Sequence, residues 1–291
     1  MKKILLFIFI GYSLNLFCQE RLNLDHLASK YTLSSLEGFK KLLSIPNDAN
    51  DKIGIQKNIE WTEKEFGKRG FTVSKIMTKG APLLLAKRDF TSKGKTVLIY
   101  LQMDGQPVDP SKWDQKNPYS PVLKKKNSSG DWETINWEKI YEYNDDWRIF
   151  ARSSSDAKGP VSMFIAAIDA IDENGITPNF NIKVILDFEE EMGSPNLPDA
   201  VKKNGELLTS DVLIILDGPR HRLNKPTLTF GARGIATIQL TTYGPIVPQH
   251  SGHFGNYVPN PALRLSKILA SMKDENGKVT IEGYYDGIEI T

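Results

Sequence analysis

Four apolar runs in this sequence end in carboxylate or amide side chains, and such groups, gathered at one place, can hold a cation or move a proton. The densest is Val184 to Ser194, where Val184, Ile185 and Leu186 lead into Asp187, then Glu189, Glu190 and Glu191, then a Gly193-Ser194 turn. Carboxylates crowded at the end of a buried strand repel one another unless a cation or a proton intervenes. A solvated acidic turn would look the same in isolation, because charge runs usually face water. The other runs argue against that reading. Thr96 to Leu101 empties into Gln102 and Asp104, Arg148 to Ala151 leads to Asp156, and Val212 to Leu216 ends at Asp217. In open α/β sheets ligands bind beyond the carboxyl ends of the strands, so these groups are expected to line one crevice.

The elements that must position them alternate between helix and strand. Apolar residues at helical spacing predict helices over Leu33 to Leu43, from Ile53 to Phe66, from Val161 to Ile171 and near Leu197 to Asn204. Strands are expected at Phe71 to Ile76, Leu83 to Lys87 and the four runs above. The fold expected is therefore α/β, a mixed or parallel sheet with helices on both faces. Lys124 to Asp146, polar and charged with Trp132 and Trp137, reads as a long inserted loop near the site.

Composition excludes several classes. With 25% charged residues, a net charge of +2 and no basic stripe, nothing points to nucleic acid. Lys2 and Lys3 precede an apolar run, Ile4 to Ile10, too short to span a bilayer, so residues 1–19 read as an export signal for a periplasmic or extracellular protein. Cys18, the single cysteine, lies in that segment, with Leu16-Phe17 before it rather than the small residues of a lipidated site. If it is removed with the signal, neither disulfides nor thiolate metal sites are available. A metal would then be held by oxygen and imidazole.

Six motifs in order resemble the M20 metallopeptidases, and most closely their carnosine-type dipeptidase branch. They are Tyr100 to Pro110 with Gln106-Pro107-Val108-Asp109-Pro110, Arg152 to Pro160, Glu190 to Ser194, Ile215 to Asp217, Gly231 to Gly234, and His250 to Gly255. The resemblance implies a zinc-dependent hydrolase of dipeptides or aminoacyl compounds with two ions, manganese being the alternative metal. It places Asp156 at the bridging ligand, Glu191 and Asp217 at further ligands, Glu190 at the general base, and Asp104 behind a ligand histidine. It places His250 on a lid that binds substrate and through which a homodimer forms. Arg233 receives no role, and His26, His221 and His253 read as surface residues. Residues 20–225 would be the first part of the catalytic domain, and 226–291 the start of a smaller α+β lid, with strands Thr227 to Phe230, Ile235 to Thr241 and Lys278 to Ile281 and a helix Pro261 to Met272.

Two departures from the family pattern bear on activity. Where the family has its first ligand histidine, this chain has Gln102, a weaker zinc donor, so one metal is expected to be loosely held, replaced by a harder cation, or absent. No histidine follows His253 to act as the last ligand, and the pattern stops inside the lid. The alternative is thus an inactive remnant acting as a binding module. A serine hydrolase built on Ser153 to Ser155 is a third reading, but the run lacks the Gly-x-Ser-x-Gly elbow.

Overall fold

A computed structural model describes residues 23–218, 221–223 and 225–289; the expected export segment lies outside the described residues. The chain divides into two units, 1–219 and 220–291.

The first unit opens with helices α1 (Leu24–Leu43) and α2 (Lys52–Lys68). Helix α1 begins nine residues before its expected start. Its first turns carry Leu24, Leu27 and Tyr31 at helical spacing but are mostly exposed, and the start is marked by Asn23, whose Oδ1 accepts the His26 N–H at 3.0 Å. Asp51 caps α2 in the same way, through Ile53 N and Gly54 N. Strands β1 (Thr72–Ile76), β2 (Leu83–Arg88) and β3 (Lys95–Gln102) follow, then β4 (Val122–Lys126), β5 (Trp132–Ile135) and β6 (Arg148–Phe150). Helix α3 (Lys158–Glu173), strand β7 (Phe180–Asp187), the short helices α4 (Leu197–Lys203) and α5 (Gly205–Leu208), and strand β8 (Val212–Ile215) complete the unit.

The main sheet has the order β1-β2-β7-β3-β8. Strands β7, β3 and β8 run parallel, while β1 and β2 are antiparallel to their neighbours. Burial on both faces explains the near-continuous apolar runs of β3 and β7. On one face α1, α2 and α3 pack through Leu42, Ile59, Phe66, Val161, Phe164 and Ile168 against Leu84, Leu101, Val184 and Leu186. The rings of Phe66, Phe71 and Phe164 lie 5.4 to 5.9 Å apart at the centre of this layer. On the other face Ala200 of α4 and Leu208 of α5 cover Leu83, Leu85, Leu98 and Ile185. The expected mixed sheet with helices on both faces is what forms.

The segment read as an inserted loop is ordered differently: β4, β5 and β6 form an antiparallel sheet of their own, in the order β5-β4-β6. Its hairpin turns at Asn127, whose Oδ1 accepts the N–H groups of Ser129 and Asp131. Trp132 packs edge-on against Phe150, with ring centres 5.1 Å apart. Three consecutive lysines in β4 hid the strand, because their polarity masks the alternation that marks one.

In the second unit α6 (Ser251–Phe254) and α7 (Pro261–Ala270) form, but the strands expected at 227–230, 235–241 and 278–281 do not. Among the described residues the one β-bridge there joins Lys273 and Val279, flanked by the Asp274 N–H on Lys278 O and the Thr280 N–H on Met272 O. Leu228, Phe230, Ile235 and Ile238 are strongly exposed. A strand needs a neighbour for its N–H and C=O groups and a layer for its apolar face, and the described residues of this unit supply neither. No helix among the described residues is long and apolar enough to cross a membrane.

Candidate active site

Parallel pairing brings the chemistry to one sheet edge. Gln102 at the end of β3 stands opposite Asp187 at the end of β7, and Tyr100 stands opposite Ile215 of β8, two residues before Asp217. Met103 N–H donates to Asp187 O at 2.9 Å, which carries the pairing one step past the strands and delivers Asp104 to the rim.

Asp104 is only 1% exposed. Its Oδ2 accepts the Glu191 N–H at 2.9 Å, while Oδ1 has no partner. Burial pushes this carboxyl up to about 6, against the pull of the Glu191 and Asp104 backbone N–H groups and with Asp187 adding to the rise. Asp104 thus holds the turn that carries Glu190 and Glu191 through the Glu191 N–H.

Glu190 is pushed up to about 7, first by burial and then by Glu191, Asp217, Asp104 and Asp156. Burial also raises Asp156, with Asp217 adding to the rise and the Arg152 guanidinium opposing it. That guanidinium lies 5.4 Å from the Trp113 ring centre, and its NH2 donates to Pro107 O at 3.3 Å. Carboxylates from the β3, β7 and β8 ends and from the start of α3 therefore share one electrostatic environment. The solvated-turn reading of Glu189 to Glu191 does not describe it.

Two residues that position this turn escaped the sequence reading. Asp187, buried, accepts from Tyr100 OH at 3.0 Å, Ser194 Oγ at 2.7 Å and Glu189 N–H at 3.0 Å. Glu189 accepts from Ala81 N–H at 3.0 Å and from Asn196 Nδ2 at 2.8 Å. A Cβ at Gly80 would lie 2.1 Å from Glu189 Oε1, so only glycine admits that carboxylate. The available signal was an aspartate closing an otherwise apolar strand, which an accounting of buried charge partners would have singled out. Gly193, at φ 82°, and Ser194, at φ 48°, turn the chain back toward α4.

Among the described residues, no three or more His, Cys, Asp or Glu side chains are gathered closely enough to hold a metal ion. Gln102, 4% exposed, donates its Nε2 to Asp217 Oδ2 at 3.3 Å, leaving its buried Oε1 without a partner. Glu191 Oε2 accepts from Gln106 Nε2 at 2.6 Å, and Asp217 Oδ1 accepts the Gly218 N–H at 2.6 Å. Side-chain amides thus sit on two carboxylates where the family resemblance places cations. Oxygen donors without imidazole suit a hard divalent cation better than a zinc pair. The crowded negative charge would attract a cation, but as placed these donors do not close around an ion, and without imidazole they do not fit two zincs.

His250 belongs to the second unit. It is exposed, caps α6 by accepting the Gly252 N–H on Nδ1 at 3.1 Å, and lies 5.0 Å, ring to ring, from His253.

Residues 98–287 match the family described as Peptidase family M20/M25/M40. The chain is 30% identical to the Cys-Gly metallodipeptidase dug1 of Schizosaccharomyces pombe, over 71% of this chain and 40% of that protein. It is 28% identical to the human Beta-Ala-His dipeptidase, over 71% of this chain and 37% of that one. Among solved structures, an M20 family metallo-carboxypeptidase from Sulfolobus solfataricus superposes with a TM-score of 0.65 at 30% identity, over 88% of this chain and 54% of that one. The chain spans about half the length, or less, of these relatives. With its motifs, its mixed sheet and a match over residues 98–287, the chain belongs to peptidase family M20.

Proposed function

We propose that this protein hydrolyses the amide bond of small dipeptides with the help of a divalent cation, Glu190 carrying the proton. The observation that carries the reading is the placement of Glu190: it stands at the sheet edge where β3, β7 and β8 end, on a turn held by buried Asp104 through the Glu191 N–H, beside the carboxylates of Glu191, Asp156 and Asp217, where a carboxylate can take and return a proton. Dipeptides are the substrate class named for the relatives, Cys-Gly for one and Beta-Ala-His for another.

In this reading Asp156, Glu191 and Asp217 hold the cation, with Gln102 a weak fourth donor through its unpartnered Oε1. When bound, a divalent cation supplies Lewis acidity toward the scissile carbonyl. Zinc is the family's usual ion, and the oxygen-only donor set supports manganese or a similar hard ion here. Glu190 takes the proton of the attacking water and passes it to the leaving amine, and Asp104 fixes the height of Glu190 by holding the next residue's N–H. His250 binds substrate from the lid, and the reading includes export through residues 1–19 and a homodimer formed through the lid.

Replacing Glu190 by Gln tests the assignment. Hydrolysis of Cys-Gly and Beta-Ala-His should fall by about 10²- to 10⁴-fold, while metal content, measured by atomic absorption, stays the same. Loss of the metal in that variant would show that Glu190 and Glu191 have exchanged roles. A second reading, a metal-poor binding module without activity, is favoured by the amides of Gln102 and Gln106 on the ligand carboxylates. Purified protein that folds normally but holds no divalent ion and cleaves neither dipeptide would establish that second reading.

A further inference from the structure

The connection between α1 and α2, residues 44–51, holds no reacting group, yet it touches both of the loops that carry Asp104 and Asp156. Asn47 is fully buried. Its Nδ2 donates to Met103 O at 2.9 Å, one residue before Asp104, and to Ser153 Oγ at 3.0 Å, three residues before Asp156. Ser153 Oγ lies 3.3 Å from Asn47 Oδ1, and Asn47 O accepts the Gly105 N–H at 2.8 Å. A Cβ at Gly105 would come within 2.3 Å of Ser153 Oγ and 3.1 Å of Asn47 Nδ2, so the three segments meet as closely as glycine allows.

Lys158 closes the same junction from the other side. It is also fully buried, and its Nζ donates to Leu42 O at 2.9 Å and Ile45 O at 2.6 Å, carbonyls at the end of α1. Its own N–H donates to Ser153 O at 3.0 Å. No ion pair to Lys158 exists among the described residues. A buried amine pushed down to about 7 by burial and held only by backbone carbonyls is a poor way to gain stability, since its desolvation outweighs the hydrogen bonds it makes. The connection is itself fixed by the buried Asn58, whose Nδ2 donates to Pro46 O at 2.8 Å.

We propose that Asn47 and Lys158 are positioning residues: through the α1–α2 connection they set the spacing between the Asp104 loop and the Asp156 loop, and with it the geometry in which a divalent cation can bind. The part concerning the cation rests on the function proposed above; the part concerning the loops does not. A merely structural role would lower stability without singling out these two loops.

Hydrogen exchange resolved by peptide separates the two. In Asn47→Ala and Asn47→Asp, segments 102–106 and 152–157 should exchange about tenfold faster or more, together, while β7 keeps its protection. Leu84→Ala, a core truncation away from the junction, is the control. Calorimetric binding of Mn²⁺ should weaken by about 10- to 100-fold in the Asn47 variants and in Lys158→Met, with Lys158→Arg recovering part of the loss. If Asn47→Ala does not fold, Ser153→Ala, which removes one hydroxyl, carries the same exchange test. Loops that exchange as in the unaltered protein, or no faster than in Leu84→Ala, overturn the proposal. An unaltered protein that binds no Mn²⁺ overturns the metal reading alone, and the exchange result still decides the positioning role.

Discussion

Strands β7 and β8 are written in nearly the same letters, Val-Ile-Leu-Asp at 184–187 and Ile-Ile-Leu-Asp at 214–217, and they end at the same edge of the same sheet. Their surroundings differ. β7 has a hydrogen-bonded neighbour on each side, with Val184 and Leu186 fully buried. Among the described residues β8 has β3 on one side only, and its four residues are 40 to 57% exposed. The two terminal aspartates inherit this difference. Asp187 is enclosed and accepts three hydrogen bonds, so it serves as an internal brace for the Glu189 to Ser194 turn. Asp217 is exposed and meets only the Gln102 amide and its neighbour's N–H, so it braces nothing and faces the crevice at the sheet edge. An acid at the end of an apolar strand is therefore structural or chemical according to how many neighbours the strand has, which the strand's own sequence does not encode.

The sharpest way to break the comparison is to remove each aspartate in turn. Asp187→Ala strands three donors around a buried hole and should destabilise by about 3 to 5 kcal/mol in denaturant unfolding, often enough to prevent accumulation of folded protein. Asp217→Ala should change stability by less than about 0.5 kcal/mol while weakening binding of Mn²⁺ in calorimetry. Equal losses from the two would mean that β8 is as enclosed as β7.

Next in size is the apolar pair. Leu186→Ala should cost about 2 to 5 kcal/mol, because the site is fully buried and collapses only partly, whereas Leu213→Ala should cost no more than about 0.5 kcal/mol. Matched urea titrations of both variants check this. A large loss at Leu213 would show β8 covered in solution.

Much of this was legible beforehand. The runs of β3, β7 and α3 announced themselves because each is buried over its full working face, so their periodicity is undiluted. Asp104, Glu190 and Asp217 were found because strand ends are where a parallel sheet exposes chemistry; Asp156 was found by the same rule although β6 before it belongs to the separate antiparallel sheet, and the structure couples all four electrostatically. What the chain did not reveal depends on long-range partners. Asp187 and Glu189 looked like part of the same acidic run as Glu190, and only their donors, from Tyr100, Ala81 and Asn196, separate brace from site. The strands expected at Thr227 to Phe230 and Ile235 to Thr241 do not form, since a β preference becomes a strand only when another backbone lies alongside.

The smallest expected effect is that of pH on the metal-free protein, and it addresses the chemical side of the comparison. Folded Glu190 and Asp104 hold protons more tightly than in the unfolded chain, at about 7 and about 6. Where the native state binds the extra proton, stability falls as pH rises. The contribution of these two groups is full below their unfolded values and is lost as pH climbs through about 6 to 7. Glu65, lowered by Lys68 and Arg69 against its own burial, works in the opposite direction, and its share is lost only as pH falls through the acid range below its unfolded value. Chelator-treated protein should therefore melt at a higher temperature at pH 5 than at pH 8, and Mn²⁺ should raise the melting temperature more at pH 8, where the carboxylates are charged. Glu190→Gln removes one titrating group from the cluster and should flatten this slope. A slope unchanged by that substitution would mean that Glu190 is solvated in the manner of Asp217, and that both acids beyond β7 and β8 stand in water alike.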